Sequence, residues 1–355
     1  MAKIALVTDT HFGVRNDSMK FLDYFEKFYS KHFFPEIEKR GINKIIHLGD
    51  IVDRRKYINY VTLRRMKEMF FEPCKSLDID LHVIVGNHDV PYKNTNDVNS
   101  MNELFEDSSY YVNYYSEPTD LNIDGHDIMI MPWINNENYA QAIKAMEDTP
   151  AQVLFGHLEV AGCLMDRGNV NEHGMKISDF SKFDLVCSGH FHHKSTTSNI
   201  EYLGCPYELT WADYGDPKGF HIYDTETREL EFIRNPYSMF HKIFYNETDK
   251  TMEEVLDVDF DGFTDTYIKV VRQNCNNPYW FDMFIDKLYK ANPNHIQIVD
   301  DHMNLNLEED DDIVNEAEDT LTILSKYINT LPDQVPKKKL DNLVRSLYNE
   351  ALTIE

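Results

Sequence analysis

The chain lacks the features that would place it in a membrane, in an oxidising compartment or directly along a nucleic-acid backbone. Its longest apolar runs are brief, such as Asp127 to Trp133. They fall far below the ~20 residues that span a bilayer. Five cysteines (Cys74, Cys163, Cys187, Cys205 and Cys275) are scattered, with no C-x-x-C pair. That odd set reads as small buried hydrophobes in a reducing cytoplasm. No basic, apolar and small-residue order of a signal peptide precedes the first strand-like segment, residues 3–8. Basic residues are scarce: 35 Lys and Arg stand against 61 Asp and Glu, a formal net charge of -26. Phosphate backbones are gripped by basic surface. Affinity for nucleic acid must then come from bound cations, a local basic patch or a partner, unless the acidity serves solubility alone. No internal repeat or low-complexity segment is evident.

What is present supports a folded chain of two or three domains. The 355 residues are 42% hydrophobic and 13% aromatic, enough for a sizeable core. Strand-like segments at 3–8, 44–48 and 81–85 alternate with helical stretches at 18–39 and 61–76, long enough to cross between parallel strands. After Asp120 strands dominate, at 126–132, 152–155, 184–188, 200–203, 219–224 and 229–234, with one helix near 136–147. The pattern predicts an α/β fold, a sandwich of two sheets flanked by helices, over residues 1–236. Ligands of such folds lie beyond the C-terminal ends of the strands.

Five islands fall in those loops: Asp9-x-His11, Gly49-Asp50-x-x-Asp53, Gly86-Asn87-His88-Asp89, Gly156-His157 and Gly189-His190-x-His192. Together they offer carboxylate, imidazole and amide ligands for two metal ions. A pair of divalent ions is a standard device for cutting phosphate esters with an activated hydroxide. Asp50 is the natural bridge. Asp9, His11 and the returning His192 suit a first ion; Asn87, His157 and His190 suit a second. A nitrogen and oxygen set admits Mn²⁺, Mg²⁺, Fe or Zn²⁺. Glycine directly before a ligand allows φ > 0 and close backbone approach. His88 fits a general acid toward the leaving alkoxide, and Asp53 could hold its tautomer. Asp89 reads as the cap of its turn. Arg54 and Arg55 read equally as phosphate contacts or as solvated surface. Gly204-x-Pro206 and Lys218-Gly219-Phe220 read as structural.

Beyond Asn235-Pro236 the character changes. Residues 237–305 read as a small α+β unit with a helix at 278–290 and strands at 266–272 and 295–299. It is either a packing appendage or a cap over the ions. Residues 306–318 form an acidic linker centred on Glu308-Glu309-Asp310-Asp311-Asp312. Residues 319–355 then carry two amphipathic stripes: Leu321, Leu324, Tyr327, Ile328, Leu331 and Leu340, Leu343, Val344, Leu347, Tyr348. They either fold back or dock on a partner helix, and isolation by the linker favours the partner.

The islands resemble those of the calcineurin-like metallophosphoesterases, D-x-H, G-D-x-x-D, G-N-H-[DE], H and G-H-x-H, over roughly residues 3–235. Gly204-Cys205-Pro206-Tyr207, Lys218-Gly219-Phe220-His221, the small unit and the helical pair make the whole chain similar to the SbcD/Mre-type DNA repair nucleases, including those of large tailed phages. The resemblance implies a Mn²⁺-dependent exo- and endonuclease acting on DNA ends. It also implies an SMC-like coiled-coil ATPase partner held by the C-terminal helices, and a homodimer formed through the nuclease domain. The family pattern also covers phosphatases and small-molecule phosphodiesterases. A third reading, of another class, is a scaffold for the ATPase. Asp53-Arg54 departs from some nuclease relatives, which carry histidine at the position of Asp53.

Overall fold

A computed structural model of the chain describes residues 3–105 and 109–300, together with Ile328, Lys337 and Leu340. Residues 1–209 and 213–299 form one compact unit, and residues 210–212 and 300–355 another. In the second, the three described residues beyond 300 are helical. The acidic linker and most of both apolar stripes lie outside the described residues.

The chain first lays down β1 (Lys3–Val7), β2 (Lys44–His47), β3 (Asp80–Ile84) and β4 (Val112–Tyr115), all parallel. It then builds β5 (Thr119–Ile123), β6 (His126–Met131), β7 (Val153–His157), a short ribbon of β8 (Val160–Ala161) and β9 (Met175–Lys176), and β10 (Leu185–Gly189). After β11 (Ser195–Thr197) and β12 (Ile200–Tyr202), it returns to the first sheet with β13 (Gly219–Asp224) and β14 (Leu230–Arg234). The two six-stranded sheets have the orders β14-β13-β1-β2-β3-β4 and β11-β12-β10-β7-β6-β5. This is the predicted two-sheet α/β sandwich.

The inner faces meet through Ile4, Leu6, Ile46, Leu48 and Ile84 of one sheet and Ile128, Ile130, Val153, Phe155 and Cys187 of the other. The outer face of the second sheet packs on helix Tyr139–Asp148 through Leu154, Val186, Ala142 and Met146. Central strands are covered on both faces, which is why Ile4, Ala5, Leu6 and Val7 are all buried without alternation.

The two long helices each run as one rod. Met19–Phe28 passes through a widened π turn, Tyr29–Phe33, into Phe34–Lys39; Tyr60–Met66 passes through Lys67–Phe71 into Glu72–Ser76. Each π turn stands just before a proline, Pro35 or Pro73. A proline has no N–H to donate and its ring collides with the carbonyl four residues back. Widening the preceding turn absorbs both problems without breaking the rod. The helix lengths expected from the sequence survive for that reason. Beneath them, Phe25 stacks on Tyr207 with centroids 3.9 Å apart, and Phe28, Phe33 and Phe220 close the same layer.

The small unit has more structure than strand-helix-strand. Strand β15 (Phe240–Asn246) runs parallel to β16 (Tyr267–Asn274), and β17 (His295–Asp300) completes the sheet. Helices Met252–Leu256 and Pro278–Lys290 cover it, burying Val255, Phe281, Phe284 and Leu288 on Ile268 and Val270.

Candidate metal centre

The site forms where both sheets end. Asp9 and His11 leave β1, Asp50 leaves β2, and Asn87 and His88 follow β3. From the second sheet His157 is the last residue of β7, and His190 and His192 follow β10. Strands β6, β7 and β10 are mutually parallel, so their C-terminal ends arrive together.

Two donor groups result, and a third cluster, His11, Asp50 and His88, lies between them. In the first, His11 Nε2 lies 3.0 Å from His192 Nε2, and Asp9 completes a cluster with both. In the second, the Asn87 Oδ1 lies 2.9 Å from His157 Nε2 and 2.9 Å from His190 Nδ1. Asp50 Oδ2 stands 3.3 Å from His157 Nε2 and 3.8 Å from His11 Nε2, between the groups. These nitrogen and oxygen donors, close enough to share an ion, fit divalent cations.

The local backbone explains why these loops need their glycines. Only Gly49 among the four island glycines takes a left-handed φ, +97°. The ligands themselves do so more often: Asp9, His11, Asp50 and His190 have φ of 51°, 43°, 57° and 89°. Such strain is held where surrounding structure enforces it, typically at functional sites. The other glycines permit close approach. A Cβ on Gly86 would sit 2.3 Å from Asp50 Oδ1, and one on Gly189 2.1 Å from Thr8 Oγ1.

A model of the calcineurin-like phosphoesterases matches residues 2–194, more than half of the chain. The chain belongs to that family. "Exonuclease subunit 1" of Enterobacteria phage T4 is 31% identical over 353 residues, covering 98% of this chain and 99% of that protein. Among solved structures, a dimetal phosphatase from Danio rerio shares 10% identity at a TM-score of 0.42, covering 67% of this chain and 97% of its own. An archaeal phosphodiesterase shares 14% identity at a TM-score of 0.31, covering 65% and 99%.

Around its donor groups this phosphoesterase places a supporting layer that fixes each ring. His157 Nδ1 donates to the Leu48 carbonyl at 2.7 Å, which turns the Nε2 lone pair toward Asn87 and Asp50. The main-chain N–H of His190 donates to both Asp9 oxygens at 3.1 Å. His88 Nδ1 meets the main-chain carbonyl of Asp53 at 2.5 Å, so the backbone of Asp53 sets the His88 tautomer. The Asp53 carboxylate lies 3.6 Å from His11 Nδ1. Asp89 reaches beyond its own turn: it accepts from Gly86 N (2.9 Å), Asp50 N (2.8 Å), Ile51 N (3.1 Å) and the Ser100 hydroxyl (3.2 Å). It therefore ties the Asp50 loop to the Asn87 loop. Arg54 donates to Asn16 Oδ1 and Tyr57 OH and pairs with Asp17 at 3.3 Å.

Three further residues escape a reading of the sequence. Trp133 packs its ring 5.0 Å from that of His190 and 6.1 Å from that of His157. Its only signal is its place after β6, whose neighbours carry ligands at the same end. His47 is buried and accepts from Gly49 N at 3.2 Å, a support rather than an island residue. Tyr207 donates to the Thr10 carbonyl at 2.8 Å, holding the loop between Asp9 and His11.

The electrostatics match a site built for cations. Burial opposes charge on His157, but the Asp50 and Asp9 carboxylates outweigh it and hold the ring up at about 9. Burial, reinforced by His157, pushes His190 down to about 3. Burial and the neighbouring His88 and His192 likewise push His11 well below its usual range. Neutral His190 and His11 are in the protonation state that ligates metal, whereas His157, held charged by the carboxylates, must release its proton when an ion binds. Burial raises Asp9, while Asp50 is held low because His157 and His88 overcome the cost of its burial.

Proposed function

We propose that this phosphoesterase is the metal-dependent nuclease subunit of a DNA-end processing complex. The observation that carries the reading is the pair of donor groups joined at Asp50, on a chain collinear with a phage exonuclease subunit over 98% of its length. Asp9, His11 and His192 would hold one divalent ion, and Asn87, His157 and His190 the other, with Asp50 shared. A nitrogen and oxygen donor set with no thiolate suits Mn²⁺. When bound, the ions supply Lewis acidity and a water acidified for attack on phosphorus.

The protein's own groups do the rest. His88, oriented by its Nδ1 contact with the Asp53 carbonyl, is placed to carry a proton to the departing 3′ or 5′ alkoxide. Asp89 keeps His88 and Asp50 in fixed relation by binding both loops. Trp133 shields the imidazoles of the second group from water. With a net charge of -26, the wider grip on DNA belongs to a partner. We assign that part to an SMC-like coiled-coil ATPase bound by the helices of residues 319–355, and to a homodimer formed through the nuclease domain.

Purified protein with Mn²⁺ should degrade linear DNA. His88→Ala should lower that rate by roughly 10²–10⁴-fold, while calorimetric titration still finds two Mn²⁺ bound. Undiminished cutting by the variant overturns the role of His88. Rapid turnover of phosphopeptides with DNA untouched would instead make the chain a phosphatase.

A further inference from the structure

Lys218 has no place in the ligand set, yet its surroundings are unusual for a lysine. It is 4% exposed, and all three of its ammonium hydrogens have an acceptor. Two go to the buried carboxylates of Asp213 (2.6 Å) and Asp216 (2.9 Å). The third goes to the main-chain carbonyl of His192 at 2.7 Å. The same carbonyl accepts from Cys205 N at 3.2 Å. A Cβ on Gly204 would press to 2.9 Å from it, so only glycine lets this segment lie so close. Asp216 also accepts from His193 Nδ1 at 2.8 Å, pinning the next residue of the loop.

Two carboxylates already satisfy the charge of a buried ammonium. The third hydrogen bond is therefore a matter of position: it places the main chain of a residue whose ring stands 3.0 Å from His11 Nε2. Taking a lysine and two aspartates out of water is costly. A purely structural anchor for this loop could be apolar at lower cost. The Gly204-Cys205-Pro206 and Lys218-Gly219 segments converge on one atom, His192 O, from different parts of the chain.

We propose that Lys218, oriented by Asp213 and Asp216, is a positioning residue that sets His192 against His11 and so governs the first metal position without touching the ion. The inference rests on the two-ion reading above. Removing the ammonium leaves the His192 carbonyl held by Cys205 N alone. The donor pair His11 and His192 loosens, while His157, held by Leu48 and Asp50, and Asn87 and His190, which meet through Asn87 Oδ1, keep their geometry. The effect is selective for one ion of the two.

The test is Mn²⁺ binding followed by calorimetry and electron paramagnetic resonance, with no substrate present. Wild-type protein should bind two ions and show a spin-coupled pair. Lys218→Met should bind one ion as before and the other at least ~10-fold more weakly, as loss of an outer support does. Its spectrum should become that of isolated Mn²⁺. Because Lys218→Met strands two buried carboxylates, a neutral triple variant, Asp213→Asn/Asp216→Asn/Lys218→Met, is measured beside it and should show the same selective loss. Two unchanged affinities and a coupled spectrum in a folded triple variant overturn the proposal. So does an equal weakening of both ions. If wild-type protein itself binds fewer than two Mn²⁺, the two-ion reading fails instead.

Discussion

At the scale of single residues, the islands are legible because ligands come from residue types that are otherwise uncommon together, and because each follows a strand. Their supports are not, since they act through main-chain atoms. Asp53 meets His88 with its carbonyl, and His192 is held by its own carbonyl. No spacing rule reports a backbone contact. The glycines illustrate a related limit. Their presence beside ligands is visible in the sequence, but whether they serve conformation or clearance is not; the left-handed strain at Asp9, His11, Asp50 and His190 falls on the ligands themselves. Clearance predicts a definite outcome for Gly189→Ala. Its methyl would meet Thr8 Oγ1 at 2.1 Å, the Leu48 carbonyl at 2.8 Å and Asp9 Oδ2 at 2.9 Å. Urea unfolding should show a loss of roughly 1–3 kcal/mol, the range for overpacked sites. Mn²⁺ affinity should fall as well, because Asp9 must move. An alanine variant of wild-type stability and affinity would show that the loop has slack.

At the scale of elements, central strands and long helices are readable, and edges are not. Strands β1 to β3 are almost wholly buried around apolar cores (IALV, II and L-x-VI), whereas β4 and β5 are half-exposed and polar, reading VNYY and TDLNI. The helix near 136–147 begins later, at Tyr139, because Asn135 and Asn138 form a hydrogen-bonded turn ahead of it. Where β15 joins the sandwich, another buried carboxylate emerges. Glu208 accepts from Met239 N (2.6 Å) and Phe240 N (2.9 Å), the first residues of the small unit's sheet. Burial pushes its carboxyl from 4.5 up to about 7 despite those donors. A folded-state pKa above the unfolded value gives stability that is complete below about pH 4.5 and lost as the pH rises through about 7. Glu208→Gln should flatten this decline, on the order of 3 kcal/mol across that window. The difference in unfolding free energy between the two proteins, measured from pH 4.5 to 8, checks it. Parallel curves would mean that Glu208 has the same pKa in the folded and unfolded states.

At the scale of the whole molecule, the proposed function assigns chemistry and grip to different parts of the chain. The donor groups belong to residues 9–192, while residues 319–355 carry the proposed docking stripes. Ending the chain after residue 306 should leave Mn²⁺-dependent hydrolysis of bis(p-nitrophenyl) phosphate within about twofold of full-length protein and abolish association with the ATPase. Loss of the small-ester activity on truncation would refute that division. Among the described residues no helix is long and apolar enough to cross a membrane.

The proposed ligands come from two sheets that are otherwise joined across a greasy interface: Asp9, His11, Asp50 and Asn87 from one, His157, His190 and His192 from the other. Each ion, if bound as proposed, would cross-link the sandwich at its rim. Binding to the folded state alone stabilises it by about 2.7 kcal/mol per ion at 100 times the dissociation constant. Chelation should lower the melting temperature by several degrees, and Mn²⁺ should restore it in proportion to the logarithm of its free concentration. A midpoint indifferent to Mn²⁺ would mean the ligands do not bridge the sheets. Otherwise a melting curve becomes a gauge of metal loading, and a chain starved of its ions would be less durable as well as idle.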